Sequence, residues 1–392
     1  MKTKLKLFAI YVGTALLLGL LAGIITSFFG RILLWIGEIR GDFLPYLLPL
    51  LSLAGIGIVF VYQKWGKEAK AGMGLVFEVA QGQDKHIPLV LLPLIMTTTW
   101  IGHLFGASVG REGVAVQLGA AIAQTLEKWT ATYIDRSFLI KMGMAAGFAG
   151  LFQTPLAASF FAIEVLAVGC YAWKDLPPIL LAAFTASWTS HWLGLEKFQS
   201  ILSDTEQLAL IPLILLGLAF GVIGNLFALS LELAKKQADK WLSNPYLRMA
   251  ILGILLTALL FFHHGRYSGL GTNLIDASLA GETVYWYDWQ FKLLLTVLCL
   301  TAGFQGGEVT PLFAIGASSG AVLAGLLNLP IPLAAGLGYT AVFASATNTV
   351  LAPILIAYEV FGTQHLPAFI LVIGIAYFLN RQTTIYGKQV RQ

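Results

Sequence analysis

A single glutamate stands between two glycines ahead of a long apolar run, and this arrangement suits a small anion. The segment reads Gly110-Arg111-Glu112-Gly113-Val114. The first amides of a helix have no intrahelical acceptor and lie at the positive end of its dipole, so they attract anions. Glycine lets those amides approach an ion closely. An ionised Glu112 is able to occupy the anion position and, once protonated, to leave it, which predicts exchange of one proton for one anion.

Two other segments have the composition of anion-binding loops. Gly72-Met73-Gly74 precedes the apolar residues 75–77. The pattern is a weak signal by itself, and it is informative because of its position relative to Glu112. Gly306-Gly307-Glu308 precedes Val309 and Thr310, and its glutamate follows Glu112 after 196 residues. These loops predict further site residues from both parts of the chain.

The chain contains an internal repeat. Residues 143–165 and 338–360, displaced by 195 positions, are identical at ten of 23 sites, which include a threonine and a glutamate in register. We therefore predict an N-terminal half, 1–200, and a C-terminal half, 201–392, of one integral membrane domain, with inverted orientation in the membrane. The duplicated Glu164 and Glu359 are predicted to be structural and to accept hydrogen bonds from backbone amides.

The composition is that of a membrane protein. Of 392 residues, 57% are hydrophobic and 11% are charged, where soluble domains have about 25% charged residues. A helix that crosses the bilayer needs about 20 apolar residues. The 50 residues 309–358 lack Asp, Glu, Lys and Arg and must hold more than one element. Shorter apolar stretches, such as 113–126, predict interrupted helices beside full-length ones.

Charge and cysteine patterns limit the remaining possibilities. Neither Cys170 nor Cys299 has metal-ligand spacing, so we predict no metal and no cofactor. The net charge of +4 is spread over loops and indicates anionic lipid beside the protein rather than nucleic acid. The positive-inside rule places both termini in the cytoplasm because basic residues occur at each end, namely Lys2, Lys4, Lys6, Arg381, Lys388 and Arg391.

Together these segments resemble the anion site of the CLC family of chloride channels and anion/proton antiporters. The resemblance rests on Gly110-Arg111-Glu112-Gly113-Val114, the loop 72–74, the segment 307–311 and Tyr386, and the repeat covers nearly the whole chain. It implies an all-α membrane fold of about eighteen helices, several short, broken or re-entrant, and a homodimer with one pore per subunit. It also implies that Glu112 is the gating and proton-coupling glutamate. The anion-binding residues that it implies are Gly72, Met73, Gly74, Gly110, Gly113, Val309 and Tyr386.

Departures from the chloride-handling pattern resemble the fluoride/proton antiporter branch. Met73 replaces the usual serine, Val114 the usual proline and Val309 the usual phenylalanine. Val165 stands where chloride antiporters have an inner proton-transfer glutamate. The resemblance thus implies fluoride export in exchange for protons through the plasma membrane of a prokaryote, with Glu112 as the travelling carboxylate and Glu308 and Thr310 along the pathway.

Other functions stay open at this point. A chloride/proton antiporter or a passive chloride channel would keep the family and change the ion or the coupling. Protons coupled to flux would separate antiporter from channel, and the sequence favours the antiporter because its site carries titratable groups and no cytoplasmic regulatory domain follows. An intramembrane serine hydrolase is the enzyme alternative, because residues 106–110 and 316–320 both fit G-x-S-x-G. The pattern occurs easily in a glycine-rich chain, so we predict a transporter and not an enzyme.

Overall fold

The chain forms helices almost throughout. A computed structural model describes residues 2–67, 69–169, 173–202, 209–380 and 382–390, so Cys170, Arg381 and Arg391 lie outside the described residues. Within these ranges sixteen α-helices and two 3₁₀ turns, Leu48–Leu50 and Trp173–Asp175, are present. The α-helices are α1 Lys2–Leu47, α2 Leu51–Trp65, α3 Met73–Ala80, α4 Leu91–Leu104, α5 Glu112–Thr130, α6 Arg136–Phe152, α7 Pro155–Glu164, α8 Leu176–Trp192, α9 Leu210–Trp241, α10 Pro245–Phe262, α11 Thr272–Leu279, α12 Asp288–Ala302, α13 Val309–Leu327, α14 Ile331–Thr347, α15 Leu351–Phe361 and α16 Leu366–Leu379.

Long and short apolar helices occur side by side, as the sequence predicts. By length and composition, four segments could cross a membrane: Lys4–Trp65, Leu210–Trp241, Pro245–Phe262 and Val309–Leu327. Other apolar helices have only 10–17 residues, among them α4, α7 and α14. The uncharged run 309–358 holds α13, α14 and most of α15, which confirms that it contains more than one element.

The order and lengths of the helices recur along the chain. Helices α5 and α13 both have 19 residues. Helices α6 and α14 both have 17 residues, and their bounds differ by the 195 positions of the sequence repeat. The eight helices from α1 to α8 are followed by eight of broadly similar relative length, α9 to α16. This correspondence supports the predicted division into two halves, and their inverted orientation stays a prediction.

Two glutamates join the repeated segments by capping each other's helices. Glu164 ends α7, and its carboxylate accepts from the amides of Val350, Leu351 and Ala352 at the start of α15 at 2.6–3.1 Å. Glu359 lies in α15 and accepts from the amides of Leu156 and Ala157 at the start of α7 at 3.1 and 2.9 Å. Both carboxylates satisfy amides that have no intrahelical acceptor, which confirms their structural role.

Small residues bring the helices that follow the anion-site loops close to their neighbours. A Cβ atom on Gly119 of α5 would collide with the carbonyl oxygen of Gly143 in α6, and one on Gly316 of α13 would collide with that of Gly338 in α14. Membrane helices gain dispersion energy from such close approach because lipid supplies little hydrophobic driving force between them. The glycines therefore fix the direction in which α5 and α13 present their N-termini.

Candidate anion site

The starts of α5 and α13 meet through a short backbone pairing. The amide of Gly110 donates to the carbonyl of Gly307 at 2.5 Å, and the amide of Gly307 donates back to Gly110 at 2.8 Å. A Cβ atom on Gly110 would lie 2.8 Å from the Gly307 oxygen, so this approach requires glycine. The amide of Gly110 is thus engaged in a backbone hydrogen bond, and the anion-binding role of Gly110 stays a prediction.

The loop before α3 also uses two of its amides in backbone hydrogen bonds. The amides of Gly72 and Gly74 donate to the carbonyls of Ala69 and Ala71 at 3.0 and 2.9 Å. These two amides close a tight turn in which Gly72 has a φ of +50°, a value that favours glycine. Met73 is the first residue of α3, so its amide has no intrahelical acceptor. Of this loop, the amide of Met73 is the one that fits the predicted anion donor.

The carboxylate of Glu112 lies on the start of α13. The side chain is 1% exposed. Its Oε2 accepts from the amide of Thr310 at 3.2 Å, from the amide of Arg111 at 3.3 Å and, through a short bond, from the hydroxyl of Thr310. Its Oε1 lies 3.8 Å from Nε of Arg111 and has no hydrogen-bond partner among the described residues. The carboxylate thus occupies donors at a helix N-terminus, where an anion binds.

Glu308 precedes α13 and lies near the start of α5. A Cβ atom on Gly113 would lie 3.9 Å from Oε2 of Glu308, 3.3 Å from the Cα of Gly307 and 4.0 Å from Cγ of Met73. The carboxylate of Glu308 and the side chain of Met73 are therefore both close to Gly113, the second residue of α5.

A cavity of about 700 Å³ lies beside this junction. Its buried or half-buried lining, here called the inner wall, includes Gly72, Met73, Gly74, Gln117, Glu308 and Tyr386. Its charged lining, here called the outer wall, includes Lys70, Lys235, Asp239, Arg248 and Lys388. Cations exceed carboxylates at the outer wall, so the local potential attracts anions. The other predicted site residues are buried and do not line the cavity: Gly110, Glu112, Gly113, Val309 and Thr310.

Tyr386 belongs to the segment 382–390, which crosses the C-terminal ends of α7 and α14. Its side chain is 5% exposed, and its ring centroid lies 5.0 Å from that of Phe77. The side-chain amide of Gln389 donates to the carbonyls of Val165 and Thr347, both at 3.0 Å. Lys388 forms an ion pair with Glu78 at 2.8 Å. Hydrogen bonds from Lys388 and Lys85 lower the pKa of Glu78. These contacts fix the tyrosine beside the cavity.

Lys292 is a buried cation that the sequence reasoning missed. It is 0% exposed in α12, and its Nζ donates to Oγ of Ser108 at 2.9 Å and to the carbonyls of Gly269 and Tyr267 at 2.7 and 3.2 Å. It therefore anchors the loop that leads to Glu112. The available signal was a lone lysine in the apolar stretch 289–307, since a charge inside a membrane segment usually has a function.

The serines of both G-x-S-x-G segments form hydrogen bonds inside the protein. The hydroxyl of Ser108 bonds with Thr296 and Lys292, and that of Ser318 donates to the carbonyl of Ala314 within α13. Both side chains are 0% exposed. Small residues packed at helix contacts account for these two matches.

Fold and site together define an integral membrane protein with a candidate anion site between helix starts. The chain belongs to the CLC family: the family sequence model described as "Voltage gated chloride channel" matches residues 54–381. The chloride/fluoride channel protein of Pseudomonas syringae pv. tomato is 35% identical over 356 residues, which cover 88% of this chain and 78% of that protein.

Solved structures have the same fold. The crystal structure of a CLC-type fluoride/proton antiporter superposes with a TM-score of 0.96 at 49% identity and 98% coverage of both chains. A slow cyanobacterial Cl⁻/H⁺ antiporter has a TM-score of 0.79 at 19% identity, with 94% of each chain covered, and this likeness concerns the fold alone. The predicted all-α CLC-type fold is confirmed.

Proposed function

We propose that this protein is a fluoride/proton antiporter that exports fluoride in exchange for entering protons. The observation that carries the proposal is the position of the Glu112 carboxylate on the amide and hydroxyl of Thr310. These donors can form hydrogen bonds with either this carboxylate or a small anion, but not with both at once. Protonation removes the charge that they stabilise, so a proton on Glu112 frees the position for fluoride.

Fluoride rather than chloride follows from the groups around the junction. Fluoride is small and strongly hydrated, so its site must replace water by strong donors at short distance. Met73 contributes no hydroxyl, and we assign binding to the first amides of α3 and α5, to Tyr386 and to the narrow spacing between Gly113 and Gly307. The similarity to a CLC-type fluoride/proton antiporter supports the same ion.

The proton pathway in this proposal depends on few residues. Val165 is buried and offers no titratable group at the position of the inner glutamate. Glu112 then carries the proton, Thr310 binds its carboxylate, and Glu308 lies close to Gly113 at the start of α5. Alternate occupation of these starts by carboxylate and fluoride gives the exchange.

We further propose a homodimer in the plasma membrane of a prokaryote, with one pathway per subunit and both termini in the cytoplasm. The bacterial relative supports the compartment. The dimer rests on the resemblance to the family, and the placement of the termini rests on their basic residues.

The substitution Glu112→Gln tests the mechanism. Glutamine keeps the size of the side chain but neither ionises nor carries a proton, so proton-driven fluoride efflux from proteoliposomes should fall to the level of empty vesicles. Glu232→Gln, on an exposed site of α9, is the matched control and should retain wild-type efflux. One-for-one exchange that persists in the Glu112→Gln protein would refute the role of this carboxylate.

A further inference from the structure

One buried side chain beside the cavity, that of Gln117, has an oxygen atom without a hydrogen-bond partner among the described residues. Gln117 lies on α5 one helical turn beyond Gly113 and is 4% exposed. Its Nε2 donates to the carbonyl of Gly113 at 3.2 Å. Its Oε1 has no hydrogen-bond partner among the described residues. A buried carbonyl oxygen without a donor costs about 1–3 kcal/mol, so its retention calls for a ligand.

The unused oxygen faces the site and not the protein interior. Gln117 is the member of α5 that lines the cavity, together with Gly72, Glu308 and Tyr386. A Cβ atom on Gly72 would lie 3.3 Å from Oε1 of Gln117. Because residue 72 is a glycine, no side chain fills the space between this oxygen and the loop 72–74 that lines the cavity.

The orientation of the amide decides what it binds. If the amide were rotated by 180°, its oxygen would face the oxygen of Gly113, two acceptors with no proton between them. The observed orientation therefore presents a carbonyl oxygen to the cavity. Such an oxygen repels fluoride and accepts a hydrogen bond from a group that carries a proton.

We propose that Gln117 is a positioning residue for proton transfer during exchange. The oxygen of its side-chain amide holds a water molecule between the start of α5 and the cavity. This inference rests on the proposed function. An ordered water needs two to four polar partners, and Gln117, Glu308 and the hydroxyl of Tyr386 line the same wall. The water supplies an O–H group toward Glu112 and Glu308 at the helix starts, while Val165, at the end of α7, offers no further carboxylate for a proton relay.

The test separates turnover from fluoride affinity in proteoliposomes with a proton gradient. Gln117→Met preserves the length of the side chain and removes the acceptor. Turnover at saturating fluoride should fall about tenfold, the size of one lost hydrogen bond in the rate-limiting step. The half-saturating fluoride concentration should stay within about twofold of wild type, since the anion donors are untouched.

Two further variants test whether the effect depends on the acceptor oxygen and whether it is specific to Gln117. Gln117→Glu keeps an acceptor oxygen and adds a negative charge, so turnover at saturating fluoride should approach wild type while the half-saturating concentration rises. Gln305→Met removes another amide of the cavity wall, whose Nε2 bonds to the Gly303 carbonyl at 3.1 Å, and should leave both quantities unchanged.

The opposite pattern would overturn the inference. A raised half-saturating concentration with unchanged turnover in Gln117→Met would make the amide a fluoride ligand. If Gln117→Met changes neither turnover nor the half-saturating fluoride concentration, the side chain of Gln117 only fills space. If Gln117→Met does not elute as the wild type on size exclusion, Gln117→Asn, which withdraws the oxygen by one methylene, takes its place. A wild-type protein that moves no fluoride would refute the proposed function instead.

Discussion

At the scale of single residues, the site is organised by two glutamates and one threonine. Thr310 offers both its amide and its hydroxyl to Glu112, while Glu308 stands beside Gly113 at the other helix start. Donors that are fixed before an ion arrives bind it without reorganisation. In the proposed mechanism the same donors hold Glu112 when fluoride is absent, and this competition would couple the two ions.

Removal of the Thr310 hydroxyl should loosen that coupling. Thr310→Val retains the shape and the backbone amide but loses one hydrogen bond to a carboxylate, a contribution of about 1.5–3 kcal/mol. Glu112 then returns to the helix start less often, and fluoride passes without its proton. We expect a fluoride-to-proton ratio above that of the wild type, measured from the reversal potential of vesicle flux.

Thr310→Ser is the matched control because it keeps the hydroxyl. Its ratio should equal that of the wild type. Equal ratios in the valine and serine proteins would mean that the hydroxyl does not take part in coupling.

At the scale of elements, the reciprocal caps of Glu164 and Glu359 connect α7 with α15. Glu164 makes four contacts with three amides, and Glu359 makes two with two amides. Both remove the cost of unsatisfied amides at helix starts that are buried in the membrane protein. The caps therefore stabilise the fold and are distinct from the anion site.

Glu164→Gln should lower thermal stability more than Glu359→Gln. A glutamine places an amide group among N–H donors, and Glu164 has the larger number of such donors to lose. We expect a clear fall in the midpoint of thermal unfolding of the detergent-solubilised protein for Glu164→Gln and a smaller fall for Glu359→Gln. Glu232→Gln, on the exposed site of α9, should leave the midpoint unchanged. Equal midpoints in all proteins would contradict the capping role.

Sequence alone predicted these elements well because repetition and charge pattern are local signals. The repeat at 143–165 and 338–360 anticipated α6, α7, α14 and α15, and the uncharged run 309–358 anticipated several helices. The structural role of Glu164 followed from its duplication. Sequence gave no signal for the pairing of Gly110 with Gly307, since a backbone bond between residues 197 positions apart leaves no side-chain pattern.

The candidate site was predictable in part. The positions of Glu112, Thr310 and Glu308 at helix starts agree with the expectation from the glycine-flanked loops. The amides of Gly72, Gly74 and Gly110 form backbone hydrogen bonds in a tight turn and a strand-like pairing that the motif does not reveal, and the anion-binding role of these residues stays a prediction. Gln117 was missed because glutamine inside an apolar helix has no distinctive spacing.

At the scale of the whole molecule, the close packing of α5 on α6 and of α13 on α14 directs two helix starts toward one point. A cavity whose charged wall has more cations than carboxylates lies beside this point. In the proposed mechanism, a small anion that enters along this cavity would meet the donors that Glu112 otherwise occupies.

The most direct test of fluoride/proton antiport is the efflux of fluoride and of chloride from proteoliposomes, with and without an inward proton gradient. We expect the proton gradient to drive fluoride out of the vesicles against the fluoride gradient, and we expect chloride to be excluded. Chloride flux of comparable size, or fluoride flux that ignores the proton gradient, would contradict this expectation.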